Sequence, residues 1–189
     1  MTYSIIQPPF TLKFREMPKK DLEAYREWFH AVMPERIAEL GAAVRSTPGF
    51  QDWEPNLSPD SLDPLGEWFR GQAETRKRTA EELDEIESRL TFPIDLPDEE
   101  LTNRSFSLGM DIGMYFGQVI LKNLAGTRWE QPLRNSKFAD YGQPVIMGFG
   151  TVPLNPVRIA VTLAYAYSAK EQSGNRLRAL YDVWSKRKA

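Results

Sequence analysis

Asp111 is the residue in this chain whose type and surroundings most suggest chemistry. It falls midway along a helix predicted for about 98–124, one turn from Ser107 and Tyr115, in an otherwise apolar stretch. A carboxylate in such a setting is costly to bury unless it is paired or hydrogen-bonded. Two readings follow. In one, Asp111, Tyr115 and Gln118 line a small polar pocket with groups from the loop 133–142, such as Arg134 or Tyr141, and the protein is a small-molecule enzyme or sensor. In the other, the polar stripe reaches solvent, or Asp111 ties down a loop. A hydrolase would need a second acid, and the spacing singles none out.

Other reactive chemistries find little support. There is no cysteine, so thiol catalysis, disulfides and thiolate metal sites are excluded. The single histidine, His30, follows Trp28-Phe29 on a helical stretch with no partner at metal-binding spacing, and reads as structural. Gly148-Phe149-Gly150 opens on no helix and lacks the Lys-Ser or Lys-Thr of a phosphate loop. No metal and no cofactor is expected.

The segment 81–100 offers a surface rather than a reaction. Glu81, Glu82, Asp84, Glu85, Glu87, Asp95, Asp98, Glu99 and Glu100 face one base, Arg89. Such a run is either a solvated helix face or a docking surface for a basic protein, where acids steer association. Glu81, Glu82, Glu85, Asp98 and Glu99 are the candidate partner-binding acids, with Trp53 and Tyr141 as exposed aromatic anchors. Arg76-Lys77-Arg78 upstream and the tail Lys186-Arg187-Lys188 are basic. The whole chain carries 24 basic and 26 acidic residues, a net charge of −2, which argues against a nucleic-acid binder. No apolar run approaches the ~18 residues of a membrane span, and residues 1–10 carry no signal-peptide pattern. A cysteine-free chain of this kind is expected in the cytoplasm.

The elements that must position these groups form an α+β chain, mostly helical, with a small antiparallel sheet of about three strands. At 189 residues it suits a single domain, with a helical half, 1–92, packed on an α+β half, 93–189. Residues 10–14 alternate as a short strand. A helix follows from Leu22 to Val44, kinked or split near Met33 by Pro34. Ser58-Pro59 starts another helix, and a charged helix runs over 74–90. Asp98 caps the helix bearing Gly109, Gly113 and Gly117, whose four-residue spacing lines them on one face as a bare groove. Ala160 and Ala164 on a later helix, or the small sheet, are the candidates to fill it. Arg128–Glu130 and Gln143–Phe149 read as strands, Asn155-Pro156 as a capped helix start, and 175–184 as the last helix. Leu22–Phe29 and Leu62–Phe69 both read Leu-x4-Glu-Trp-Phe, a packing echo rather than a solenoid repeat.

Several of these elements carry a resemblance. Gly109-x3-Gly113-x2-Phe116-Gly117, Trp129, Asp140-Tyr141-Gly142-Gln143-Pro144, Gly148-Phe149 and Asn155-Pro156 together resemble small immunity-type proteins of bacterial toxin systems. The resemblance covers about a quarter of the chain, rests on packing and turn residues, and carries over no catalytic group. It implies a cytoplasmic, noncatalytic protein that neutralises a toxin, such as a basic toxin domain, by direct binding.

Overall fold

A computed structural model describes residues 3–90, 92 and 95–188. Residue 93, where the expected second half begins, lies outside this set. The order is α1 (Lys19–Arg45), a 3-10 turn (Pro59–Ser61), α2 (Leu62–Gln72), β1 (Thr75–Lys77), α3 (Ala80–Ser88), β2 (Glu99–Leu101), α4 (Asn103–Asn123), β3 (Arg128–Glu130), β4 (Val145–Met147), α5 (Pro156–Ser168) and α6 (Arg176–Lys186). The class is α+β and mostly helical. The strands are divided between two antiparallel pairs, β1 with β2 and β3 with β4, rather than gathered in one sheet.

α4 is the axis of the molecule. Every residue from Ser107 to Gly117 is buried, and its most extensive partner is α5. The glycines explain the closeness. At Gly113 a methyl group would sit 2.5 Å from Val157 Cα, and at Gly109 3.0 Å from Val161 Cγ2. At Gly117 it would meet the Trp129 ring at 2.5 Å. Both expected partners therefore contribute, but α5 approaches through Val157 and Val161 rather than Ala160 and Ala164. One apolar cluster spans residues from Leu40 to Tyr181 and so joins the two halves of the chain. A second gathers Leu22, Tyr25, Phe29 and Met33 of α1 against Met110 and Met114. The echoed Leu-x4-Glu-Trp-Phe segments share a packing role: Leu22, Phe29, Leu62 and Phe69 are all fully buried.

Four expected elements differ. Residues 10–14 form no strand. Leu12 turns at φ 57°, Glu16 N–H donates to the Lys13 carbonyl at 2.8 Å, and Phe10 and Phe14 dock edge-on against Tyr25. α1 runs unbroken through Pro34. Burial of Met33 and Leu40 on either side outweighs the lost hydrogen bond, because tertiary packing supplies most helix stability. The charged helix begins later than expected, since Thr75–Lys77 pairs with Glu99–Leu101. Its start is a capping box in which Thr79 and Glu82 each bond the other's backbone N–H, a Thr-x-x-Glu signal legible in the sequence. Because 99–101 is extended, Thr102 rather than Asp98 caps α4, accepting from Ser105 N–H at 3.1 Å. Asn155 caps α5 as expected, accepting from Arg158 N–H at 2.9 Å.

Candidate functional site

Asp111 is fully buried on the α4 face opposite the glycines, and it is fully engaged. Arg36 of α1 grips it side-on, Nε donating to Oδ1 at 2.9 Å and Nη2 to Oδ2 at 2.8 Å. The Tyr3 hydroxyl donates to Oδ2 as well. Arg36 also reaches the Ser4 carbonyl at 2.8 Å, and Ser107 Oγ accepts from Ile6 N–H at 2.8 Å. The group is a lock that holds residues 3–6 across α1 and α4. Burial pushes the Asp111 carboxyl above its ordinary range, outweighing the hydrogen bonds from Arg36 and Tyr3. Of the two readings, the geometry matches the one in which Asp111 ties down a segment.

The residues expected to share a pocket with Asp111 are dispersed. Tyr115 hydroxyl bonds Ser61 Oγ at 2.7 Å and accepts from Leu57 N–H at 3.1 Å. Gln118 Nε2 points to Met33 Sδ. Arg134 lines a separate groove over β3 and β4, about 440 Å³ in volume, with Gln131 and Phe138. Trp53 is a core residue and not an exposed anchor: it is 5% exposed, its Nε1 donates to the Ser61 carbonyl at 3.0 Å, and its ring meets the edge of Tyr115. Its position in a loop gives no hint of that burial. Tyr141 is half-buried against the α1 cluster. His30 is exposed on α1, edge-on to Phe29 and Trp129. Among the described residues no His, Asp and Glu group could hold a metal ion.

The acidic residues form an arm, β1–α3–β2. None of α3 is fully buried. Its acids divide into two kinds. Glu82 is structural: Arg76 holds it through two nitrogens at 2.9 and 2.6 Å, and Thr79 N–H donates to it at 2.8 Å. Glu100 pairs with Arg76 and Arg78, Glu85 with Arg89, and Glu99 accepts from Thr75 Oγ1. The basic run 76–78 is thus partly spent on the arm's own acids. Glu81, Asp84, Glu87, Asp95 and Asp98 are exposed and form no ion pair among the described residues. Leu83, Ile86 and Leu90 are only half-buried, and Phe92 is 74% exposed.

The bonds from Arg76 and Thr79 hold the Glu82 carboxyl at about 2. A depressed carboxylate supports the folded state above its ordinary range, and that support is lost as pH falls through the folded value. The Glu82 side-chain carboxyl resonance is therefore expected to keep its neutral-pH position down to roughly pH 3 and to move below it. Glu82→Gln should fray α3 already at neutral pH. A pH titration followed by two-dimensional NMR checks both.

A third site is not legible in the sequence, where its residues read only as a turn motif and a helix cap. Asp140 is 2% exposed. It accepts from Asn155 Nδ2 at 2.8 Å and pairs with Arg158 at 2.8 Å. Asn155 Nδ2 also donates to Gln143 Oε1 at 2.9 Å. Asn155, Gln143 and Arg158 help line a groove of about 360 Å³ between α4, α5 and the loop 10–14. Comparison with protein-family models, with curated proteins and with solved structures gave no match.

Proposed function

We propose that this chain is a noncatalytic binding protein, an immunity-type inhibitor that neutralises a toxin or other effector by direct association. The docking surface in this reading is the acidic arm, and its occupant is a basic protein domain. The observation that carries it is α3 itself. A helix of nine residues is too short to hold alone, yet this one buries no residue fully. Leu83 and Ile86 are only half-covered, Phe92 beyond the helix is exposed, and Glu81, Asp84 and Glu87 are exposed without an ion-pair partner among the described residues. Exposed apolar area with an aromatic beside unpaired acids is the composition of a binding surface steered by charge. The capping box and the Arg76 clamp keep the arm ordered before a partner arrives, which lowers the cost of binding. No helix among the described residues is long and apolar enough to cross a membrane, and a cytoplasmic inhibitor is compatible with that.

The test is a pair of baits used on extracts of the source cells, the natural chain and a Glu81→Gln, Asp84→Lys, Glu87→Lys variant. Glu81 is only neutralised because a cation in the first helical turn opposes the helix dipole. The natural chain should retain a basic toxin-like domain in one-to-one ratio and suppress its activity on co-expression. The variant should associate at least about tenfold more slowly, with a flatter salt dependence. Phe92→Ala should chiefly speed dissociation. A partner that binds all three alike, or whose footprint lies away from the arm, would overturn the reading.

A further inference from the structure

The groove between α4, α5 and the loop 10–14 belongs neither to the acidic arm nor to the Asp111 lock. Its volume of about 360 Å³ is at the small end of the ligand-pocket range, about 300–1,000 Å³. Its walls are Leu12, Phe14, Phe106, Met110 and Val161. The glycine face of α4 sets its depth, since Val161 reaches the wall only because Gly109 lets α5 approach. Its polar residues, Gln143, Asn155 and Arg158, are linked through Asn155 and Asp140. Asn155 is spent internally: its amide nitrogen serves Asp140 and Gln143, and its oxygen caps α5. Arg158 is different. Asp140 engages it through Nη1, while its side chain remains 52% exposed, lining this groove and a neighbouring one along α5 and α6. A guanidinium has five donors in a planar fork that matches a carboxylate.

We propose that this groove binds a small amphiphile with a single carboxylate head, its apolar body against Phe106, Met110 and Val161 and its head on Arg158. The buried Asp140 fixes the guanidinium in place and cancels part of its charge, which favours a monoanion over a doubly charged phosphate head. The chain then has a ligand site separate from its protein-docking arm.

Calorimetric titration of the full chain with decanoate, and with decanol as the uncharged control, tests this. Saturable one-to-one binding of decanoate is expected, with decanol weaker. Arg158→Met should weaken decanoate about tenfold or more, the scale of a lost charge-assisted bond, and leave decanol unchanged. Leu12→Trp, at a half-buried position of the loop that packs on the α1 cluster, should block both by filling the groove, so it decides the matter even if Arg158→Met folds poorly. The proposal fails if decanoate gives no saturable heat up to millimolar concentration. It fails equally if decanol binds as tightly, or if Leu12→Trp leaves decanoate binding intact.

Discussion

Gly113→Ala should destabilise the protein by about 3 kcal/mol, at the upper end of the cost of overpacking a core, even though alanine is the better helix former by about 1 kcal/mol. The added methyl would lie 2.5 Å from Val157 Cα, 2.9 Å from Val157 N and 3.0 Å from the Pro156 carbonyl oxygen. These are backbone atoms at the start of α5, so no side-chain rotation relieves the clash. α5 must retreat, and its retreat strips contact from Gly109 and from the cap at Asn155. For a chain of this size the loss corresponds to a fall in Tm of roughly 6–12 °C. Gly71→Ala is the control. Gly71 lies near the end of α2 with nothing within 4 Å of the new methyl, and the change should stabilise by about 0.5 kcal/mol. Urea unfolding of the two variants beside the natural chain measures both. A neutral Gly113→Ala would mean that α4 and α5 do not pack this closely.

That interface was the most legible part of the fold. Glycines at a four-residue period weaken a helix, so on an apolar helix they mark the face where another backbone comes close. The Asn155-Pro156 cap was legible because its signal is local. What could not be read was pairing at a distance. Arg36 follows Pro34 and Glu35, so it reads as one more charge on an exposed helix face, and nothing within 70 residues marks it as the partner of Asp111. Trp53 lies among loop residues and reads as exposed, yet the loop folds back so that its indole reaches the Ser61 carbonyl. Arg158 likewise reads as an ordinary helix residue until Asp140, eighteen positions earlier, is seen beneath it. The acidic arm was half legible: the charge run was plain, but not that Arg76 and the capping box consume Glu82, which removes it from the residues that can meet a partner.

Arg36→Met should cost about 3–5 kcal/mol, and Asp111→Leu a similar amount, because each leaves a buried charge without its partner. Arg36 is 8% exposed and Asp111 0%, so water cannot replace the missing group. The double variant should recover most of the loss and could exceed natural stability, since two apolar side chains avoid the desolvation of both ions. The resulting coupling energy, read from a double-mutant cycle in urea, separates a true pair from two independent core positions. Titration supplies a second readout. The Asp111 carboxyl is raised in the folded state, so between its ordinary value, near ~4, and its folded one the native protein holds the extra proton. Stability from this group is therefore greatest in acid and declines as pH rises through that window, then levels off. Arg36→Met removes the cation that lowers the Asp111 value, so the decline should extend to higher pH. In the double variant this component should vanish. A pH-independent difference between the natural chain and the double variant would show that Asp111 keeps an ordinary titration inside the lock, the bonds from Arg36 and Tyr3 fully offsetting its burial.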